Sequence, residues 1–238
     1  RHAGIALHEI FEKLDFGGPA SDVDATVADV LHRHRFALDE SDLRITATIA
    51  MVNRVLRSTL PAADFPLRVV PKGKTLREWK FHLPLGAVER HTLADLFAAH
   101  GDDVAQRYAP VLRAISPQRT FGFLTGVVDL AFEQHGRWHV VDWKSNHLGA
   151  DLANYEPDAL EPEMFGSHYV LQYHLYVTAL HRFLRMRVPG YRYETHMGDV
   201  WYAFLRGIDG SARGWHHHRP AESLILALDA LMAAGGHA

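Results

Sequence analysis

The chain has 238 residues, of which 47% are hydrophobic and 22% charged, and its formal net charge is −3 with neutral histidines. This composition is typical of a globular protein with a sizeable core. The charge excludes a domain that binds nucleic acid through a large overall basic charge, and the lack of cysteine excludes disulfides and thiolate metal ligands. No apolar run reaches the ~18 residues that span a bilayer, so we expect a cytoplasmic protein that makes no membrane contact.

The first residue is Arg1 rather than an initiator methionine, and it leads directly into a helical pattern. The N-terminal residues do not have the pattern of a signal peptide. We therefore expect a single domain, 1–238, that is cut from a longer polypeptide.

Hydrophobic periodicity divides the chain into helices and strands. Helices are predicted at 4–14, 23–34 (capped by Ser21 or Asp22), 41–57, 92–99, 102–115, 165–187 and 220–234. Strands are predicted at 76–83 and 198–206, with a β-hairpin over 121–145. Prolines and polar residues predict a surface loop at 147–162, and His216-His217-His218 is interpreted as an exposed loop, with a metal-binding histidine run as the alternative. This order favours one α/β domain, a central mixed β-sheet flanked by helices.

The strand at 76–83 alternates between two sets of residues. Arg77, Trp79, Phe81 and Leu83 are mostly apolar, so we expect this set to face the core. Glu78 belongs to the other set and is predicted to lie on the opposite face.

The hairpin carries the most informative pattern in the chain. If His135-Gly136 forms a two-residue turn, opposed residues have numbers that sum to 271, and Asp129 lies directly across from Asp142. Lys144 shares their face, because side chains alternate along a strand. Like charges opposed across two strands repel each other, so this register predicts a cation between the aspartates.

Two carboxylates on one face suit a hard divalent cation such as Mg²⁺. The backbone carbonyl of Trp143 is a further candidate oxygen ligand, and the ammonium of Lys144 would orient an attacking water and stabilise negative charge. A lone Asp142-Trp143-Lys144 tripeptide is more typical of a solvated ion pair. The opposed Asp129 is what favours a metal site.

Asp129 followed by Asp142-Trp143-Lys144 on the next strand resembles the PD-(D/E)xK nuclease core. The element Gly4-x-x-x-His8 resembles the first helix of RecB-type nucleases, and Gln172-x-x-x-Tyr176 resembles the helix that follows their D-x-K strand. Further segments that resemble RecB-type nucleases are 145–149, 169–173, 196–198 and 202–207.

The resemblance implies a restriction-endonuclease-like fold in which His8, Asp129 and Asp142 bind metal and Lys144 is catalytic. Glu78 matches an acidic metal ligand less closely, because relatives often have E-x-E-F where this chain has Lys80 at the second acidic position. The implied cofactor is Mg²⁺, with Mn²⁺ as an alternative and Ca²⁺ as a non-productive occupant.

The same resemblance implies that Gln172, Tyr173 and Tyr176 contact DNA. The residues alone leave alternatives open: His8 is also consistent with a core histidine, and Gln172 and Tyr176, which share a helix face, with core packing. A basic cluster late in the long helix is equally consistent with phosphate contacts and with a solvated helix end. This cluster consists of Arg182, Arg185, Arg187 and Arg192.

The function implied is metal-dependent hydrolysis of DNA, mainly single-stranded, by an exonuclease with possible endonuclease action on single strands, in double-strand-break repair and recombination. Implied partners are DNA, RecC- and RecD-like subunits, the helicase portion of the same polypeptide, and RecA. Three alternatives remain: a catalytically silent module that binds DNA or protein, a structure-specific endonuclease of the same fold, and a hydrolase of small phosphate esters.

Overall fold

The computed structural model describes residues 2–36, 39, 41–88, 90–115 and 120–234. The helices are α1 (His2–Lys13), α2 (Ala20–Arg33), α3 (Leu43–Arg57), α4 (Arg90–His100), α5 (Asp103–Ala114), α6 (Glu161–Gly166), α7 (Tyr169–Arg187), α8 (Tyr193–His196) and α9 (Glu222–Ala234). The strands are β1 (Thr75–Val88), β2 (Thr120–Gln134), β3 (Arg137–Lys144), β4 (Met197–Phe204) and β5 (Trp215–His218). Of the helices in these ranges, none is both long enough and apolar enough to cross a bilayer.

The five strands form one sheet in the order β1-β2-β3-β4-β5. The β3–β4 pair is parallel, and the other three pairs are antiparallel. Residues of α1, α2 and α3 form a core cluster with one side of the sheet, and residues of α4, α5, α7 and α9 form a second cluster with the other side. The predicted mixed sheet flanked by helices is therefore confirmed. Both faces are covered, so the face that carries the aspartates is not a solvated polar face.

The hairpin turn fixes the register between β2 and β3. His135 and Gly136 both have positive φ angles, 51° and 79°, as a two-residue turn that matches the strand twist requires. Pairs from Gln134 opposite Arg137 to Leu130 opposite Val141 follow the predicted sum. The ladder ends there, one step before the two aspartates, so the prediction that they form a direct cross-strand pair is wrong.

Strand β1 is irregular at Glu78. Glu78 has a φ of 46°, a left-handed conformation that costs about 1–2 kcal/mol for a residue with a side chain. Paired residues flank it on both sides, but Glu78 itself lies outside the β1–β2 ladder. Arg77 lies over the Phe16 ring on the α1 side, whereas Trp79 packs in the α7-side core. The prediction that Arg77 and Trp79 share a face is therefore wrong, because the backbone turns between them.

Two local predictions are corrected. Helix α2 begins at Ala20 after Pro19 and has no side-chain cap, so the predicted cap at Ser21 or Asp22 is wrong. The predicted long helix at 165–187 is divided between α6 and α7 by His168, which has a φ of 58°.

The histidine run is strand β5 rather than an exposed loop. His218 Nε2 lies 3.0 Å from Asp102 Oδ2, and His217 Nε2 lies 3.2 Å from Asp199 Oδ1. His216 is half-buried, and its ring stacks on Tyr173. His216 and His218 thus both contact Tyr173, whereas His217 contacts Trp201.

Part of the basic cluster on α7 has a structural partner. Arg182 and Arg185 both form ion pairs with Asp229 of α9, the second at 2.9 Å. Burial alone would raise the pKa of Asp229, but these two arginines lower it. These two ion pairs join α9 to α7. Phosphate binding by the other two arginines of the cluster, Arg187 and Arg192, stays a prediction.

Candidate metal and catalytic site

Helix α1 is held against the end of strand β3. The Phe11 ring stacks on Trp143 with 4.2 Å between the ring centroids. Arg77 Nη1 donates to the carbonyl oxygens of Phe11 and Glu12, at 3.0 and 2.9 Å, and so binds the C-terminal end of the helix, where carbonyls lack intrahelical partners. A Cβ atom at Gly4 would lie 2.8 Å from Ser145 Oγ. The glycine therefore allows the first turn of α1 to lie directly beside the residue that follows Lys144.

This placement brings His8 to the acidic pair. Asp129 is 9% exposed and Asp142 is 2% exposed. His8 Nδ1 lies 3.5 Å from Asp129 Oδ2, and the backbone N–H of Trp143 donates to the same oxygen at 2.8 Å. A side-chain carboxylate thus occupies the place where the β2–β3 ladder opens.

Glu78 completes a cluster of candidate ligands. Ligand atoms of His8, Glu78 and Asp129 all lie within 4.8 Å of one another. An open cleft of about 750 Å³ is lined by these residues of α1 and β1 and by the start of the loop after β3. The turn at Glu78 directs its carboxylate towards His8 and Asp129. Glu78, which matches the family pattern less closely than the two aspartates, therefore lies at the site.

The donor set fits a hard divalent cation. Two carboxylates and one imidazole converge, and the Oδ2 atom of Asp142 has no hydrogen-bond partner among the described residues apart from its ion pair with Lys144. Carboxylate oxygens are the ligands that hard divalent cations prefer, so the residues present fit such an ion.

Burial and the negative charge of the carboxylates shift the pKa values of the groups at the site. Burial first, and then the charge of Asp129, raise the pKa of Asp142. Burial and the charge of Asp129 also raise the pKa of Glu78. Burial alone would lower the pKa of His8, but the hydrogen bond and charge of Asp129 outweigh it and raise that pKa. A divalent cation would favour the deprotonated form of all three groups.

Lys144 is held on four sides. Its Nζ atom lies 2.5 Å from Asp142 Oδ2 and 3.2 Å from Gln172 Oε1. The Tyr169 ring centroid is 3.9 Å away and the Tyr202 ring centroid 4.9 Å, both within cation–π range. The side chain is only 12% exposed, so the ammonium has a fixed position at the inner end of the site.

Helix α7 brings Gln172 and Tyr176 to the site, since they are one turn apart. Gln172 is half-buried and contacts Lys144. Tyr176 is 6% exposed, and its pKa is raised by burial first and then by the charges of Asp142 and Asp129. Tyr173 is fully buried on another side of the helix, with its ring against His174 and His218. This burial keeps Tyr173 away from the protein surface. Its contact with DNA stays a prediction, as do the roles of Gln172 and Tyr176 and of the Trp143 carbonyl.

Sequence reasoning did not single out four residues that shape this site. Tyr169 and Tyr202 surround Lys144, Arg77 anchors α1, and Ser145 contacts the glycine turn. The signal for Ser145, Tyr169 and Tyr202 was that each begins a segment that resembles RecB-type nucleases, and Tyr169 also shares a helix face with Gln172. The role of Arg77 depends on contacts between distant segments.

A family description agrees with this geometry. Residues 2–222 match the family model of the PD-(D/E)XK nuclease superfamily. Because that match covers most of the chain, the protein belongs to the PD-(D/E)XK nuclease superfamily.

Three RecB subunits are similar to the chain over nearly its whole length. The chain is 34% identical over 236 residues to the RecBCD enzyme subunit RecB of Escherichia coli (strain K12), a match that covers 97% of this chain and 19% of the relative. The Haemophilus influenzae RecB subunit is 34% identical over 96% of this chain and 18% of the relative. The Mycobacterium tuberculosis RecB subunit is 32% identical over 98% of this chain and 24% of the relative. The chain thus spans between 18% and 24% of the length of these relatives.

Replacing the histidine tests the ligand cluster. His8→Gln is expected to weaken divalent-metal binding at least about tenfold, because even changes to groups that only orient ligands cost about 10–100-fold. Isothermal titration with Mn²⁺ measures the effect. The matched control is His34→Gln, since His34 also contacts a carboxylate of α1, Glu9, at 2.6 Å. Equal metal affinity of the His8 variant and the unmodified protein would return His8 to a packing role.

Proposed function

We propose that this chain is a divalent-metal-dependent DNA nuclease domain of a RecB-like helicase-nuclease, acting mainly on single-stranded DNA. The observation that carries the proposal is the convergence of His8, Glu78 and Asp129 beside the buried Asp142–Lys144 ion pair. The similarity to RecB subunits over nearly the whole chain supports the same reading.

Each residue has a role that its position supports. Asp129, Asp142 and His8 would hold Mg²⁺, with Glu78 as a further ligand and the Trp143 carbonyl as a candidate oxygen. When bound, the ion would supply an activated water and neutralise charge on the phosphoryl group. The ammonium of Lys144 would orient the attacking water and stabilise negative charge in the transition state, where a fixed donor in a buried site acts most strongly.

Similarity to RecB subunits supports the proposed substrate and partners. The sequence contains no G-x-x-x-x-G-K-[ST] phosphate-binding loop, so ATP binding would belong to a helicase portion elsewhere in the polypeptide. Such a helicase would deliver unwound single strands to the cleft between α1 and the sheet. RecC- and RecD-like subunits would be the assembly partners and RecA a further contact, in double-strand-break repair and recombination.

End-labelled DNA tests the proposal, using single- and double-stranded substrates in linear and circular form. We expect degradation of linear single strands with Mg²⁺ or Mn²⁺, none with a chelator, and occupancy without cleavage with Ca²⁺. Cleavage that is unchanged by the chelator would contradict the metal-dependent mechanism. DNA binding without cleavage in both Mg²⁺ and Mn²⁺ would assign a silent binding module instead.

A further inference from the structure

A buried tyrosine on β4 shares the contact that holds Lys144. Tyr202 is fully buried and lies opposite Asp142 in the parallel β3–β4 ladder. Its hydroxyl donates to Gln172 Oε1 at 2.8 Å, and the same oxygen accepts from Lys144 Nζ at 3.2 Å. We propose that Tyr202 is a positioning residue for Lys144 that acts through the side-chain amide of Gln172; this inference rests on the proposed nuclease function.

The chemistry of the amide explains why a second donor matters. A glutamine side chain presents either its oxygen or its NH₂ group, and a lysine ammonium can only donate. With the NH₂ group turned towards Lys144, two donors would face each other. The Tyr202 hydroxyl and the ammonium converge on the same oxygen, and together they fix the amide with its oxygen towards the catalytic lysine.

The hydroxyl is well suited to this role. It is buried, and burial together with the nearby charge of Asp142 raises the pKa of Tyr202, so it remains a neutral donor. The Tyr202 ring also lies within cation–π distance of the ammonium. Replacement by phenylalanine keeps the ring and removes only the bond to Gln172, which separates positioning from packing.

We expect Tyr202→Phe to lower kcat for single-stranded DNA about tenfold, which corresponds to about 1.4 kcal/mol and is close to the net value of one hydrogen bond. The KM for DNA and the Mg²⁺ concentration that gives half-maximal rate should stay within about twofold of the values for the unmodified protein. Tyr202 is fully buried and is proposed to contact neither the DNA nor the metal ion. A structural defect would instead lower the fraction of active enzyme together with the melting temperature.

The matched control is Tyr193→Phe. Tyr193 is 4% exposed, and its hydroxyl donates to the Pro220 carbonyl at 2.8 Å, the same distance as the Tyr202 bond. It lies outside the site, so the control removes an equivalent buried hydrogen bond and should leave kcat unchanged.

A second variant tests the route through the amide. Gln172→Ala should lower kcat at least as much as Tyr202→Phe, and the double variant should be no slower than Gln172→Ala alone, because residues that act through one group are not additive. If Tyr202→Phe folds poorly, Gln172→Ala still tests the inference, because the inference requires this variant to have a lower kcat.

The outcomes separate the inference from the function on which it rests. Absence of cleavage by the unmodified protein would overturn the proposed nuclease, and the inference with it. If the unmodified protein cleaves DNA but Tyr202→Phe or Gln172→Ala turns over at the same rate, the inference alone is overturned. An equal further loss from Tyr202→Phe in the Gln172→Ala background would also overturn it.

Discussion

Asp142→Asn is expected to lower metal-dependent DNA cleavage by on the order of 10³-fold. The variant removes a buried negative charge from the proposed metal site, and the loss of several kcal/mol of transition-state stabilisation corresponds to this factor, since about 1.4 kcal/mol equals tenfold. Initial rates with end-labelled single-stranded DNA and saturating Mg²⁺ measure the effect.

The same variant should not lose stability when no metal is present. Because the pKa of Asp142 is raised in the folded protein, the folded state binds its proton more tightly than the unfolded state does. The charged side chain therefore destabilises the metal-free protein at neutral pH. This penalty decreases as the pH falls through the folded pKa and is gone below the unfolded pKa. Asparagine is neutral at every pH, so the melting temperature at pH 7 should be equal to or above that of the unmodified protein.

Asp229→Asn is the matched control for Asp142→Asn. Asp229 is also buried, at 7% exposure, but its pKa is lowered in the folded protein, so its charge stabilises the fold. We expect Asp229→Asn to lower the melting temperature and to leave metal affinity unchanged. Wild-type cleavage by the Asp142 variant, or a stability loss in it as large as in the control, would contradict the assignment of Asp142.

Lys144→Gln is expected to lower turnover about 10²–10³-fold, the cost of removing one preorganised donor from an active site. Metal affinity should be unchanged or higher, because a positive charge 2.5 Å from Asp142 Oδ2 is removed. Turnover at saturating metal and calorimetric titration with Mn²⁺ give the two quantities separately.

Lys74→Gln is the control for this variant, since Lys74 forms an exposed ion pair with Glu133 at the far end of the hairpin and exposed pairs contribute little. The opposite pattern in Lys144→Gln, with weak metal binding and normal turnover at saturation, would make Lys144 a structural partner of Asp142.

The local part of the hairpin could be predicted from the sequence. A two-residue turn with Gly136 at its second position has a twist that matches the strands, and it fixes the pairs as far as Leu130 and Val141. The next pair could not be predicted, because the Asp129 carboxylate accepts the Trp143 N–H instead of leaving the strands to pair. That exchange depends on His8 and α1, which lie more than a hundred residues away in the sequence.

The backbone turn at Glu78 could not be predicted from the sequence, for a different reason. Alternation along 76–83 assumes a regular strand, but one residue with a left-handed φ turns the chain and moves Arg77 to the α1 side. The energy that maintains this turn comes from tertiary contacts, so a short-range pattern contains no sign of it.

The burial of Tyr173 and the pairing of the histidine run both depend on tertiary contacts that a short sequence pattern does not contain. Successive residues on a helix point about 100° apart, so Tyr173 cannot share the face of Gln172, and α7 is covered on that side as well. The run His216–His218 lacks the β-branched residues that usually indicate a strand. It becomes one because it pairs with β4 at the edge of the sheet.

The proposed metal site is formed by helix α1 with strands β2 and β3, which carry His8, Asp129 and Asp142. An anomalous difference map from crystals of the protein soaked in Mn²⁺ tests it most directly. We predict a peak at about 2.0–2.2 Å from ligand atoms of His8, Asp129 and Asp142, with Glu78 bound directly or through water, and we predict its loss in Asp142→Asn crystals. A map with no peak in this cleft at saturating Mn²⁺, or a peak that persists unchanged in the variant, would contradict the proposed site.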